Sequence, residues 1–215
     1  RKEMIHFKNT KMKKIITIIL LLLSTSSAYL QEALKLQNGG SITIQNGCEL
    51  YLQGGVNLAN GSNLTNNGSI FLLNNLISNS SNWTDNSLAG ALSGTGVVIF
   101  NSDHPQLFTG STNFYTLIIN TNDLTLNNNL TISNFLKLIN GRINTGTSYV
   151  FINNDLASSL QTNFLNSSYG NSWINGTLRR LIASNTSSYD FPVGSSLRNN
   201  LLKFNNNNLT GPSFL

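Results

Sequence analysis

Four glycines spaced seven residues apart constrain this chain more than any other feature of its sequence. Cut at those glycines, residues 41–74 read SITIQN, GCELYLQ, GGVNLAN, GSNLTNN and GSIFLLN. Each glycine follows a side-chain amide, and the glycines are Gly47, Gly54, Gly61 and Gly68. Alternation of apolar and polar residues with a period of two is typical of strands, and Asn-Gly pairs allow the main chain to turn. The stretch therefore predicts short strands joined by tight corners.

A second block distinguishes stacked coils from hairpins. Residues 123–140 divide into the hexads DLTLNN, NLTISN and FLKLIN, and each hexad ends in a corner residue: Asn128, Asn134 and Asn140. Residues two apart on a strand share a face, so each hexad points two aliphatic side chains inward. Short periods repeated in one phase are typical of a parallel β-helix. We predict an all-β fold, a single-stranded parallel β-helix (β-solenoid) with irregular corners. The alternative is an antiparallel β-meander or sandwich, because Asn-Gly also marks hairpin turns.

The N-terminal residues have the three parts of a secretory signal peptide. Two lysines after Met12 are followed by the apolar run Ile15–Leu23 and then by small residues up to Ala28. This order is typical of a cleaved leader, and the run is shorter than the roughly 20 residues that span a bilayer. We therefore expect secretion, cleavage after Ala28, and no stable membrane span afterwards.

The remaining residues divide into two parts. We assign residues 29–168 to the β-solenoid and residues 169–215 to a strand-rich closing segment or the start of a further β-domain, which we expect to be truncated. Because a stack of coils must shield its first edge, we expect residues 29–37 to form a short helical or irregular cap. The period breaks over residues 75–95, which predicts a loop with Trp83 folded back over the stack.

The charge balance and the single cysteine give no reason to expect a nucleic-acid partner or thiol chemistry. Six of the 13 basic residues and one of the eight acidic residues precede the expected cleavage site, which leaves equal numbers of each. The basic isoelectric point thus belongs to the leader and gives no reason to expect nucleic acid as a partner. Cys48 is the only cysteine, and we expect it to pack as a small apolar residue rather than act as a reactive thiol.

The sequence contains no recognisable catalytic or metal-binding motif. Glycoside hydrolases hold two carboxyl groups about 5–9.5 Å apart, whereas the acids here are scattered singly: Glu32, Glu49, Asp85, Asp103, Asp123, Asp155 and Asp190. Asp103-His104-Pro105 is the only acid–histidine pair, and the proline favours a capped turn. We predict no catalytic, cofactor-binding or metal site.

The closing passage, read together with the leader and the Asn-Gly corners, resembles secreted surface proteins of Bacteroidota, many of which are cargo of the type IX secretion system. That group has a W-x-x-G-x-L-R-R … F-P-V-G passage, matched here by Trp173, Gly176, Leu178, Arg179, Arg180, Phe191, Pro192, Val193 and Gly194. The resemblance implies an Asn/Gly-rich β-solenoid exported to the cell surface. It implies no particular activity, because the group is defined by its architecture.

We therefore expect a secreted, non-enzymatic cell-surface β-solenoid that serves as a stalk or adhesin-like scaffold and contacts extracellular glycans or other surface proteins. The alternative is a polysaccharide-degrading enzyme or a carbohydrate-binding module on a β-helix. Arg179 and Arg180, close to Trp173, could bind a sugar or an acidic partner. The competing interpretation is that strand alternation leaves one arginine in solvent and pairs the other locally.

Overall fold

A computed structural model describes residues 32–74, 81–162, 172–184, 188–205 and 213–214. The described residues fall within one compact unit, Gln31–Leu215. The predicted signal peptide and its cleavage site lie outside the described residues. None of the described helical segments is long and apolar enough to cross a membrane.

The described residues lie almost entirely in strands and the corners between them. The only described helical turn is the 3-10 turn Ala157–Ser159. The strands are β1 Glu32–Leu36, β2 Ser41–Ile44, β3 Glu49–Gln53, β4 Gly55–Leu58, β5 Asn63–Asn66, β6 Ser69–Leu73, β7 Trp83–Asp85, β8 Leu92–Ser93, β9 Val97–Ser102, β10 Gln106–Gly110, β11 Asn113–Leu126, β12 Leu130–Ile152, β13 Leu160–Thr162, β14 Ser172–Ile182, β15 Ser188–Gly194, β16 Asn199–Asn205 and β17 Ser213–Phe214.

These strands stack in parallel into a β-solenoid of about seven turns. One face stacks β1, β4, β7 and β10, a second stacks β2, β5 and β8, and a third stacks β3, β6 and β9. The long strands β11, β12 and β14 then continue the stack. Strand residues paired in parallel between neighbouring coils are between 18 and 31 residues apart in sequence. This parallel register confirms the β-helix and rules out the meander for the body of the chain.

Antiparallel pairing occurs at the C-terminal end of the described stack. Strand β15 pairs in parallel with β14 over two residues and then forms an antiparallel hairpin with β16. Strand β17 pairs antiparallel with the end of β14. The hairpin ends the regular winding, because its second strand returns along the first instead of turning onto a new face.

The hexad pattern of residues 123–140 correctly identifies the inward-facing side chains. All six aliphatic positions are at most 5% exposed: Leu124, Leu126, Leu130, Ile132, Leu136 and Leu138. Strands β11 and β12 pass around corners without a break in strand structure, and their pairing register shifts between Phe114 and Thr116, opposite the bend at Asn134. Asn128 lies between these two strands and Asn140 lies near a further register shift. Strand alternation determines the inward residues, and asparagines lie at the bends.

The glycines of the seven-residue ladder all lie between strands. Gly47 and Gly61 have φ values of +79° and +78°, a region that glycine enters without steric cost. Gly68 is needed for a different reason, since an added Cβ would lie 2.2 Å from the carbonyl oxygen of Cys48 in the preceding coil. Gly54 separates β3 from β4. These corners therefore depend both on left-handed backbone and on close approach between coils.

Three expectations are wrong. Residues 32–36 form strand β1 of the first coil, not a helical or irregular cap. Trp83 belongs to β7 inside the stack and is completely buried, so most of residues 81–95 are part of a coil and not of a loop. Of the expected loop 75–95, residues 75–80 lie outside the described residues. Cys48 is exposed, because it lies at the corner before β3 and not on an inward strand position. For Trp83, coils of unequal length obscure the period.

Candidate functional site

The closing passage with tryptophan and paired arginines forms the C-terminal end of the described stack. Its residues lie on β14 and β15, which are adjacent in the sheet. Leu178 faces inward and is 8% exposed, whereas Phe191 and Val193 pack against the core from the last coil. An added Cβ at Gly176 would lie 1.9 Å from Thr145 Oγ1, and one at Gly194 would lie 2.2 Å from the Arg198 carbonyl oxygen. The passage thus shapes the transition from coil to hairpin.

Arg180 is the centre of this end of the molecule. Its side chain is fully buried, and its guanidinium donates hydrogen bonds to main-chain carbonyl oxygens of Asp190 (2.8 Å), Leu156 (3.2 Å) and Ala157 (3.0 Å), and to Ser159 Oγ (3.0 Å). Its Nε lacks a partner within the described part of the chain. Burial lowers the pKa of Arg180 to about 10, partly offset by Tyr189 and Asp190, so the group stays charged at neutral pH.

Two aromatic rings and one hydroxyl complete the surroundings of Arg180. The guanidinium carbon lies 5.1 Å from the ring centre of Tyr189 and 5.8 Å from that of Phe191. The Tyr189 hydroxyl donates to the Asp155 carbonyl oxygen (2.6 Å) and accepts from the Ala183 N–H (3.0 Å). The charge is thus neutralised by carbonyl dipoles and not by a bonded carboxylate. This arrangement ties β14, β15 and the 3-10 turn together.

Arg179 faces the opposite side of β14. It is exposed, and its guanidinium carbon lies 3.9 Å from the centre of the Tyr149 ring. Strand alternation therefore separates the two neighbouring arginines, as one of the two interpretations of the sequence expected. They do not form a joint cationic site.

Trp173 lies over a half-buried ion pair on the outer surface. Arg142 binds Asp123 through Nε–Oδ1 (2.9 Å) and Nη2–Oδ2 (2.5 Å), and its guanidinium carbon is 5.7 Å from the Trp173 ring. Burial alone would raise the pKa of Asp123, but the hydrogen bonds and charge of Arg142 hold that pKa below its ordinary value. Trp173 Nε1 donates to the Ser195 carbonyl oxygen (3.0 Å). These contacts fix the loop between β15 and β16 onto the stack.

An apolar cavity of about 580 Å³ opens beside the closing passage. It is lined by Gly176, Thr177, Leu178, Phe191, Val193, Leu202, Lys203 and Phe204. Lys203 is its only charged lining residue, and its ammonium is 4.0 Å from Asp190 Oδ1. The cavity has the size of a small-molecule site, but it lies where the interior of the stack reaches its end.

A polar network centred on Asp85 is buried inside the stack and was not predicted from the sequence. Asp85 is 2% exposed. Its Oδ2 accepts from the Ala91 N–H (3.0 Å) and from Thr112 Oγ1 (2.7 Å), and its Oδ1 accepts from Ser87 N and Oγ. Trp83 Nε1 lies 2.7 Å from Thr112 Oγ1. Every oxygen of the carboxylate is thus satisfied, which indicates a structural role. The spacing Trp83-x-Asp85 was the available signal, since residues two apart share a face.

Asp103 and His104 lie at an exposed corner. His104 Nδ1 is 2.6 Å from Asp103 Oδ1. The neighbouring hydroxyl, Ser102 Oγ, bonds to the main-chain nitrogen and oxygen of His104 (both 3.0 Å) and to Asn74. The hydroxyl is used by the turn and not aimed at the imidazole, so this geometry is that of a capped corner. Among the described residues, no three His, Cys, Asp or Glu side chains are grouped to hold a metal ion.

Amides and hydroxyls of successive coils bond to each other along the outer faces. Asn120 Nδ2 donates to Asn101 Oδ1 (2.7 Å), and Asn175 Nδ2 donates to Asn144 Oδ1 (2.9 Å). On another face, the hydroxyl oxygens of Thr65 and Ser93 lie 3.2 Å apart. An amide has two donor hydrogens and two acceptor lone pairs, so one bond along the row leaves capacity that faces solvent.

No protein family, curated protein or solved structure matches this chain.

Proposed function

We propose that this chain is a secreted, non-enzymatic cell-surface β-solenoid that serves as a stalk or adhesin-like scaffold and contacts glycans. The parallel stack supports the scaffold part of the proposal. Each coil is stabilised mainly by its neighbours, and about seven coils share one apolar interior. Such a stack places surface groups at regular intervals along its length.

The rows of outward amides and hydroxyls carry the glycan part of the proposal. Asn101 and Asn120 are both half-buried, which holds their side chains in place, and one hydrogen bond joins the two amides. Strands in a sheet repeat every ~4.8 Å, a spacing close to the length of one sugar ring. A glycan chain lying along the stack would meet polar groups of successive coils, such as Asn101 and Asn120, and no dense charge. Many weak hydrogen bonds of this kind suit recognition of neutral polymers.

A glycan array tests this proposal with the chain that begins at Tyr29. We expect retention of neutral glycans that persists at high salt, because screening weakens only charge-based contacts. Asn120→Ala should reduce retention, whereas Asn86→Ala, a matched change in a different amide pair with Asn57, should have less effect. No retained glycan would refute glycan contact, and release of new reducing ends would favour the polysaccharide-degrading alternative.

The same proposal includes export to the bacterial surface, by a route like that of type IX cargo. The leader and the closing passage support it through their resemblance to that group. Protease shaving of intact cells that express the native reading frame tests it. Loss of the protein from intact cells supports surface display, and protection from protease in intact but not lysed cells argues against it.

A further inference from the structure

Among the residues that the structure describes, the first coil is an uncovered end of the stack. Among the described residues, β1, β2 and β3 each pair with only one other strand: β4, β5 and β6 respectively. Each therefore presents a row of main-chain N–H and C=O groups along its second edge. Such rows act as templates for the addition of another strand. The first coil thus offers three template edges at once.

The apolar interior also reaches this end. In the first coil the inward residues Leu36 and Leu52 are 7% and 6% exposed, whereas Leu58 and Leu72, which stack on them in the second coil, are completely buried. Three more apolar residues of the first coil are only partly buried against the core: Leu34, Ile42 and Leu50. An additional layer on this end would bury them further, which favours association.

Tyr51 provides an aromatic surface on the third face of the same end. Its ring stacks on Phe71 of the second coil with centres 4.5 Å apart and an angle of 5° between the ring planes. The side chain is 56% exposed, and its hydroxyl bonds to Glu49 Oε2 (2.6 Å). Because Phe71 covers one face of the ring, the exposed area includes the face directed away from the stack. The ring is thus positioned to extend the row by one more aromatic group.

We propose that two copies of this chain join head to head through the first coil, with β3 pairing antiparallel to β3 of the second copy about Tyr51. A two-fold axis is the commonest symmetry of soluble oligomers. An axis perpendicular to the stack reverses the strand direction, so that β3 meets itself antiparallel, while β1 of each copy meets β2 of the other. All three open edges are then paired.

The sequence of β3 is self-complementary in this arrangement. Tyr51 is the middle residue of Glu49–Gln53, so the two-fold axis places Tyr51 opposite its own copy. Glu49 then lies opposite Gln53, and a carboxylate therefore meets an amide donor and not a second carboxylate. Leu50 lies opposite Leu52 on the inner side. Strand β2, which would meet β1, has the uncharged sequence SITI, so no like charges oppose each other on that side either.

This inference goes beyond glycan contact and does not depend on it. Two other occupants could cover the same end: the residues that precede β1 in this chain, or a strand of a different protein. The self-complementarity of β3 favours the second copy. Both other occupants predict a monomer when the purified chain is studied alone.

Oligomeric state is the first test. Light scattering after size exclusion should give twice the monomer mass for the chain that begins at Tyr29. Tyr51→Lys should raise the dissociation constant by about tenfold or more, because it places like charges directly opposite each other and removes an aromatic pair. Tyr115→Lys is the matched control at another exposed tyrosine, 37% exposed on β11, and should leave the dimer unchanged. A monomer at every concentration, or equal effects of both substitutions, would overturn the proposal.

Cysteine cross-linking is the second test. In a Cys48→Ser background, Tyr51→Cys should form a disulfide-linked dimer under mild oxidation by diamide, since opposite residues of an antiparallel pair have Cα atoms about 4.5–5.5 Å apart, within the range of disulfides. Tyr115→Cys in the same background should cross-link much more slowly. In the parent chain Cys48 should not cross-link readily, because the two-fold axis places it opposite Gly54. Equal cross-linking at positions 51 and 115 would contradict the proposed register.

Discussion

Substitution of Arg180 by methionine tests whether this buried cation stabilises the end of the stack. Methionine keeps an unbranched chain of similar length, so the substitution removes the guanidinium without adding volume. It deletes one hydrogen of Nη1, donated to the Asp190 carbonyl oxygen, and the two hydrogens of Nη2, which are shared among the Leu156 and Ala157 carbonyl oxygens and Ser159 Oγ. It also leaves buried acceptors without their donor.

The expected loss follows from two opposing effects. A hydrogen bond to a charged group contributes roughly 2 kcal/mol, so that the three hydrogens involved contribute about 6 kcal/mol. Burial of the charge opposes this, since a pKa lowered from 12.5 to about 10 corresponds to roughly 3 kcal/mol. Arg180→Met should therefore lower the free energy of unfolding by about 3 kcal/mol. The loss is large compared with the marginal stability of most domains.

Urea denaturation followed by circular dichroism measures this loss. Arg179→Met is the matched control, because Arg179 is exposed on the same strand and contributes only its contact with the Tyr149 ring. We expect that control to lose less than about 1 kcal/mol. Equal losses for the two variants, or a loss below about 1 kcal/mol for Arg180→Met, would refute the role assigned to the buried guanidinium.

Three further predictions concern single contacts. Asp85→Asn should lower the free energy of unfolding by about 2–3 kcal/mol in urea denaturation. The amide nitrogen would point its own hydrogens at groups that now donate hydrogen bonds to the carboxylate. An unchanged free energy of unfolding would contradict the structural role of this network. Gly68→Ala should lower the free energy of unfolding by roughly 3 kcal/mol, because the added Cβ would collide with backbone atoms of the preceding coil. Gly47→Ala should lower it by only about 1–2 kcal/mol, because Gly47 has a φ of +79° but no atom within 4 Å of the added Cβ. Equal melting temperatures of the two variants would argue against the close approach at Gly68. Asp123→Asn should cost about 1 kcal/mol at pH 7. Since the native pKa of Asp123 is lowered, this stabilisation is present above the ordinary value of 3.8 and is lost as the pH falls through the native pKa; a difference that persists at lower pH would contradict the ion pair.

The sequence by itself determined the local rules of this fold. Alternation over residues 123–140 identifies the inward residues, because the two-residue period of a strand is a property of the backbone and holds in any sheet. The corner glycines are identifiable for a similar reason, since left-handed backbone strongly favours glycine. Parallel stacking also follows from the repetition, because equal phase in successive segments allows each inner layer to cover the next.

Only the tertiary structure decided which segments share a coil. The connection between β6 and β7 hides the period, so Trp83 looked like part of a loop although it fills the interior. The environment of a residue then depends on the residues paired with it in neighbouring coils, which are 18 to 31 residues away in sequence. Arg180 is buried because carbonyls from residues 156, 157 and 190 converge on it, and Tyr51 is exposed because its coil is the first. A local pattern contains no information on such distant partners, so packing alone distinguishes the buried cation from its solvent-exposed neighbour.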